Sequence, residues 1–195
     1  MLKIFCTSDL HANETFSDNI VKVITREKPD VWLGCGDFVS NEYAKRLFKR
    51  INVKGFCVSG NLDWGLKFEN DKVKMYENGI EEYKGYHFLC YSDMVMPDLG
   101  LIKGIDPKKL VFITHYPPYG VLDLIWSGRR VGSYEFRKFL EVGKPVLHTF
   151  GHIHEANGVE KFHETLTVNC ALTGTGMGYM VTLPSMKIEE IDMGI

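Results

Sequence analysis

The sequence predicts an α/β protein in which a helix-connected parallel sheet is joined by a second, β-rich sheet, and three observations carry that reading. Short apolar runs recur along the chain, each leading into a Gly or a short polar segment, as buried strands do. Segments of helical periodicity separate the early runs. The last forty residues consist of short runs divided by Thr, Gly and Pro, without helical spacing.

In chain order, Leu2 to Thr7 reads as a strand. A helix follows from about Thr15 to Glu27, with Phe16, Ile20, Val23 and Ile24 on one face. Val31 to Leu33 is a second strand, Asn41 to Arg50 a second helix, and Gly55 to Val58 a third strand. Lys67 to Lys72 is a polar loop. Alternation around Val73 to Tyr76 and His87 to Tyr91 suggests antiparallel or edge strands. Leu110 to Ile113 and Val146 to Phe150 are again buried runs. Between them Ser133 to Val142 is helical, with Phe136, Phe139 and Leu140 at helical spacing and Ser133 as its cap. Gly158 to Phe162, Leu166 to Cys170, Tyr179 to Leu183 and Lys187 to Ile191 look like antiparallel strands of the second sheet.

Composition bounds the function classes. With 195 residues and 45% apolar content, a single domain over 1–195 is expected, burying about 70% of its unfolded surface. The net charge of −2 exerts no global pull on a nucleic-acid polymer, so such a substrate would need a local basic patch, for which Arg129 and Arg130 are the candidates. The amino terminus lacks the plan of a signal peptide, and no apolar run approaches the ~20 residues of a membrane span. Five cysteines without metal or disulfide spacing suit a reducing compartment. A cytoplasmic protein is expected.

The chemistry sits at the ends of the apolar runs. Asp9 and His11, Asp37, Asn61, His115, and His152 with His154 each follow a strand-like segment. Ligands bind at the carboxyl ends of strands in open α/β sheets, so five such ends can converge on one site. Imidazole, carboxylate and amide oxygen without thiolate suit divalent Mn²⁺, Fe, Ni²⁺ or Zn²⁺. Seven ligands exceed the need of one ion. In an extended segment, residues two apart share a face, so Asp9 and His11 form one pair and His152 and His154 another. Glycines at 36, 60 and 151 permit close backbone approach or positive φ just before a ligand.

The order D-x-H, G-D, G-N, an isolated H before Pro, and G-H-x-H resembles the calcineurin-like metallophosphoesterase superfamily over residues 1 to about 170. The resemblance implies a four-layer αββα sandwich of two mixed sheets flanked by helices. It also implies two divalent metal ions, Mn²⁺ foremost. Asp9, His11, Asp37 and His154 would hold one, and Asp37, Asn61, His115 and His152 the other, with Asp37 bridging. The implied reaction is in-line attack on phosphorus by a metal-bridging hydroxide, with Asp37, Asn61 and His115 at the reacting centre. The H-x-P-P-x-G-x-x-D run from His115 to Asp123 and the F-G-H-I-H-E-x-x-G run from Phe150 to Gly158 are similar to the metallophosphoesterase-domain group that includes brain-expressed cyclic-nucleotide phosphodiesterases. They point to a small phosphodiester, a cyclic nucleotide among the possibilities.

One position departs from the family. Many relatives carry His straight after the Asn, where it is taken to protonate the leaving group, but here the segment is Gly60-Asn61-Leu62-Asp63. Simple bacterial and archaeal phosphodiesterases also lack that His. Loss of a general acid forfeits about 10² to 10⁴-fold, least for aryl esters. Asp63 is expected to orient His11 or His115 from behind. Two alternatives belong to other classes: a nuclease like the recombination-repair members, which carry a capping domain and the leaving-group His, and a binding scaffold like retromer's phosphoesterase-fold subunit, whose ligands have decayed. All seven ligand positions are filled here.

Other residues read more plainly. His148 is expected to support or pack rather than ligate, His87 and His163 to be structural or superficial, and Cys6, Cys35 and Cys57 to act as core hydrophobes. Tyr116, Tyr119, Trp126 and Trp64 are aromatics near the ligand runs, with packing favoured over base stacking. Gly174 to Gly178 lacks the Lys and helix of a P-loop and reads as a turn. The native metal, the physiological substrate and the oligomeric state stay open.

Overall fold

The computed structural model describes residues 1–194. Strands β1 (Leu2–Thr7), β2 (Val31–Gly34), β3 (Lys54–Val58) and β4 (Val73–Tyr76) lie parallel, and helices α1 (Glu14–Glu27) and α2 (Asn41–Arg50) connect the first three. Strands β5 (Asn78–Tyr83), β6 (Tyr86–Tyr91), β7 (Leu110–Thr114) and β8 (Leu147–Phe150) start a second sheet, with α3 (Tyr134–Gly143) between β7 and β8. Strands β9 (Gly158–Phe162) and β10 (Thr165–Asn169) complete it. Strands β11 (Met177–Leu183) and β12 (Lys187–Asp192) return to the first sheet. The orders are β12-β11-β1-β2-β3-β4 and β5-β6-β7-β8-β10-β9.

Alternation of side chains along the strands explains the layers. Ile4 and Cys6 of β1 point into an apolar layer between the sheets, together with Leu33, Phe56, Phe88, Cys90, Val111 and Ile113. Phe5 points the other way and packs with Trp32, Phe48 and the Phe16, Ile20, Val23 and Ile24 stripe of α1. Phe136, Phe139 and Leu140 of α3 cover the outer face of the second sheet at Leu89 and Phe112. Both faces of the central strands are therefore buried, which is why they read as near-continuous apolar runs rather than alternating ones. The result is helix, sheet, sheet, helix, as expected.

Helix ends follow local chemistry. The side chain of Asn13 accepts from Thr15 N at 2.9 Å, that of Ser40 from Tyr43 N at 3.3 Å, and that of Ser133 from Phe136 N at 3.2 Å, each satisfying an amide that the first turn leaves unpaired. α1 and α3 both stop at a lysine in the left-handed conformation, Lys28 and Lys144.

One expectation is corrected. The four terminal strands do not form one antiparallel sheet. β10 runs parallel to β8, whereas β11 pairs antiparallel with β1, Leu2 opposite Leu183, and so covers what would otherwise be a bare edge of the first sheet. β4 is an edge strand as expected, parallel to β3, and β6 pairs antiparallel with β5 as expected while lying parallel to β7 on its other side. β6 is not an edge because β5 flanks it. That hairpin strand is half-exposed and carries Asn78-Gly79 and Glu81-Glu82, so no apolar pattern announces it.

Between the two sheets Phe56 and Phe88, both fully buried, stack with centroids 4.4 Å apart. Phe56→Ala should cost about 3–5 kcal/mol and lower the urea midpoint of both sheets in one cooperative transition. Separate transitions by fluorescence and far-UV circular dichroism would show that the sheets fold independently.

Candidate metal centre

The carboxyl ends of β1, β2 and β3 in one sheet and of β7 and β8 in the other open onto a common point. Asp9 and His11 follow β1, Asp37 follows β2, Asn61 follows β3, His115 follows β7, and His152 and His154 follow β8. All seven side chains meet. At one end, His154 Nε2 lies 3.1 Å from Asp9 Oδ1, and His11 Nε2 lies 3.9 Å from that oxygen and 3.6 Å from Asp37 Oδ2. At the other, His115 Nε2 lies 3.0 Å from Asn61 Oδ1, 3.1 Å from His152 Nδ1 and 3.6 Å from the same Asp37 Oδ2. One carboxylate oxygen thus faces both groups.

The turns that deliver these side chains are unusual. Asp9, His11, Asp37 and His152 have φ of 55°, 47°, 55° and 70°, in the left-handed region that costs an L-residue about 1–2 kcal/mol. Loop-to-loop bonds hold them: Asp9 N donates to Gly36 O at 2.9 Å, His11 N to Asp37 O at 3.1 Å, and His152 N to Asp9 Oδ2 at 2.9 Å. Two glycines permit the crowding. A Cβ on Gly60 would stand 2.2 Å from Asp37 Oδ1, and one on Gly151 would stand 2.1 Å from Asp9 Oδ2.

The donor set fits a cation. His115 Nδ1 lies 2.9 Å from Cys35 O, and a carbonyl only accepts, so Nδ1 carries the hydrogen and Nε2 presents its lone pair to the cluster. His11 Nε2 is buried with no hydrogen-bond partner among the described residues, which a protein tolerates where something else is to be bound. Asp9 and His115 are fully buried and Asp37 nearly so. Burial pushes the Asp9 and Asp37 carboxyls up, but neighbouring imidazoles and amides outweigh it and hold both below the usual range: His154 and His115 for Asp9, His11 and His115 for Asp37. Burial and the neighbouring His115 bring His152 down to about 4. His154 is raised by its hydrogen bond to Asp9.

Several residues serve otherwise than their position suggested. Among the described residues Asp63 makes no hydrogen bond to His11 or His115. Its two oxygens accept from Val39 N at 2.8 Å and Gly60 N at 2.9 Å, so it ties the loop after β2 to the loop after β3. Desolvation raises its pKa. The support for His115 comes instead from the Cys35 carbonyl, a main-chain group that no side-chain motif signals. Arg130 is bound to the fully buried Asp123 at 2.7 Å and braces the loop after β7 rather than facing the cluster. Arg129 is exposed in the same loop and makes no ion pair with a cluster residue among the described residues.

His148 stacks on Phe112 beneath α3, its Nε2 is 2.9 Å from Thr114 Oγ1, and burial drives its pKa down to about 3, so it packs the core. His87 and His163 lie outside the cluster. Two supports were missed: Thr173 Oγ1 donates to Asp9 O at 2.7 Å, and Leu62 N donates to Asp37 Oδ1 at 2.9 Å, so position 62 acts through its backbone.

A family model for calcineurin-like phosphoesterases matches residues 2–156, the segment that carries every strand end of the cluster. The chain belongs to the calcineurin-like phosphoesterase family. Membership points to phosphoester hydrolysis, and the chain carries residues that could hold metal ions. It is similar to a UPF0046 protein of Caenorhabditis elegans, 25% identical over 215 residues that cover 90% of this chain and 71% of that protein. It is also similar to human metallophosphoesterase domain-containing protein 1, 39% identical over 72 residues covering 36% of this chain and 21% of the relative. Its fold resembles that of an archaeal phosphodiesterase, with a TM-score of 0.65 at 19% identity, covering 97% of this chain and 99% of that one.

Two expected outcomes follow from this geometry. Gly60→Ala should displace Asp37 and weaken divalent-ion binding at least tenfold by calorimetry while the circular dichroism spectrum stays unchanged. Ion binding must also remove the proton that His154 Nε2 donates to Asp9. His154 titrates above its ordinary 6.5, so affinity should fall as pH drops through that raised value, with His152 already neutral above about 4. Calorimetry in buffers of differing ionisation enthalpy should register release of about one proton per chain at pH 6, on binding of the ion that His154 holds; a pH-independent affinity would contradict the assignment.

Proposed function

We propose that the protein is a dinuclear metal-dependent phosphodiesterase acting on a small diester. The observation that carries the proposal is Asp37 Oδ2, 3.6 Å from both His11 Nε2 and His115 Nε2, which makes one carboxylate the shared wall of two adjoining ligand groups. Asp9, His11, Asp37 and His154 would hold one ion, and Asp37, Asn61, His115 and His152 the second. Divalent ions of the Mn²⁺, Fe, Ni²⁺ or Zn²⁺ class, with Mn²⁺ favoured, suit this nitrogen and oxygen set, and a pair of them supplies positive charge to phosphoryl oxygens and a nucleophile at neutral pH.

The chain's own residues do the positioning. Leu62 N and the Gly60 turn fix Asp37, the Cys35 carbonyl fixes the His115 tautomer, and Thr173 anchors the strained Asp9 turn. Asn61 is the most open of the set and faces solvent beside the cluster, where its amide can reach a phosphoryl oxygen. Leu62 is 39% exposed at the place where a proton donor would stand, and it cannot donate one. Departure of the leaving group then depends on its own acidity, which favours aryl and similarly activated esters.

A small diester is preferred because the two signature runs after β7 and β8 belong to the diesterase-like pattern, and because Arg130, the obvious cation for a dianionic monoester, is engaged with Asp123. The five cysteines are buried and free, which supports a reducing, cytoplasmic setting. Among the described residues no helix is long and apolar enough to cross a membrane.

The test is hydrolysis by metal-stripped protein with Mn²⁺, Ni²⁺, Zn²⁺ or Mg²⁺ restored in turn. Bis(p-nitrophenyl) phosphate should be cleaved in preference to p-nitrophenyl phosphate, and Asp37→Asn should abolish turnover; preference for the monoester would overturn the diesterase assignment. Leu62→His should raise kcat on alkyl esters by about 10² and far less on nitrophenyl esters. Equal gains on both would remove the claim that a general acid is missing.

A further inference from the structure

Beside Asn61, on the opposite side of the cluster from Asp9 and His154, a cavity of about 290 Å³ opens between the loop after β3 and the loop after β6. Its apolar wall is Trp64, Met94 and Tyr116. Trp64 is 85% exposed and Met94 48%, although both are large apolar side chains. A single exposed apolar residue needs no explanation, but two facing one cavity whose floor is a candidate metal ligand do. Tyr116 is fixed by packing on the rings of His115 and His152, with centroids 5.1 and 4.6 Å away, so the wall is continuous with the cluster.

The polar lining is largely spoken for. Both oxygens of Asp63 hold backbone amides, and Ser92 Oγ accepts from Ser59 N and donates to Tyr76 O. Asp93 differs. One of its oxygens takes Asn78 Nδ2 at 3.3 Å, and the other has no partner among the described residues. No Lys or Arg lines this cavity among the described residues. Its polar character is that of an acceptor, which repels a second phosphate or a carboxylate and welcomes an N–H donor. Aromatic and thioether side chains stack on flat π-systems with little regard to their substituents.

We propose that Trp64, Met94 and Tyr116 form the subsite for a flat, uncharged aromatic arm of the phosphoester, a nucleobase-like group, with Asp93 accepting a hydrogen bond from its exocyclic amine. This rests on the phosphoesterase reading of the adjoining cluster. The arm lies beyond Asn61 while its phosphorus lies at the cluster, so the cavity selects among esters and the cluster performs the reaction. Trp64 and Asp93 are specificity residues and touch no reacting atom.

The test separates the two readings. In the full chain carrying Trp126→Phe, the exposed indole is that of Trp64, since Trp32 is fully buried. Adenosine, which has no phosphate and needs no metal, should quench that fluorescence saturably. Adding Met94→Glu, a surface change at a half-exposed position, should abolish the quench, and Asp93→Ala, which removes the acceptor, should erase the preference for adenosine over purine riboside, which lacks the amine.

On the metal-loaded chain, Trp64→Ala should raise KM for adenosine 5′-(p-nitrophenyl phosphate) about tenfold relative to methyl p-nitrophenyl phosphate. Turnover of nitrophenyl diesters without any adenosine quench, or with unchanged relative KM in Trp64→Ala, overturns the subsite and leaves the phosphodiesterase intact. A quench that obeys both variants, in a chain inert toward diesters with every metal, upholds the cavity's ligand class and overturns the reaction assigned to its neighbour.

Discussion

The arrangement depends on a crowd of electron-pair donors around Asp37 that has no stable meaning without positive charge between them. Asp37 Oδ2, Asp9 Oδ1, Asn61 Oδ1 and the nitrogens of four imidazoles lie within 3.0 to 3.9 Å of one neighbour or another. Some of this is relieved by protons, as in the His154–Asp9 bond, but His11 Nε2 has no hydrogen-bond partner among the described residues. Buried like-natured groups cost several kcal/mol unless paired or coordinated. The chain also accepts left-handed backbone at four of these residues and a Cβ-free approach at two glycines. Strain of this kind persists where surrounding structure over-determines it and where function uses it.

What over-determines it is the pairing of two sheets. Each sheet alone brings only part of the set: the first supplies Asp9, His11, Asp37 and Asn61, the second His115, His152 and His154. The apolar layer between them, with Phe56 against Phe88, sets the distance across which the halves meet. Hydrogen bonds then cross the seam, from Ser8 N to Cys170 O, from His152 N to Asp9 Oδ2, and from the His115 ring to the Cys35 carbonyl. The thiol of Cys35 packs the core, and its carbonyl orients a ligand. One residue thereby couples packing to chemistry.

Much of this was legible in the residues, and what was not has a physical reason. The strand ends were visible because strands buried on both faces are continuous apolar runs, and the residues that cluster were visible because polar groups stop those runs abruptly. The glycines at 60 and 151 signalled close approach correctly. Strand pairing was less legible: β11 and β10 are both largely buried, and nothing local says that one joins β1 and the other β8. β5 was invisible because an edge strand tolerates Asn, Gly and Glu. Asp63 was expected to support an imidazole, and Arg130 was a candidate for the substrate. A side chain near a motif is credited with the motif's chemistry, although here one holds two backbone amides and the other a buried carboxylate. Backbone duties, those of Leu62 and Cys35, leave no trace in side-chain identity.

The central claim is that Asp37 is shared between two ions. It is tested most directly by anomalous diffraction from crystals of the chain grown with Mn²⁺. The account requires two peaks roughly 3.5–4 Å apart, one beside His11 and His154, the other beside His115 and Asn61, with Asp37 between them. A single peak, or two peaks that Asp37 does not join, would contradict it.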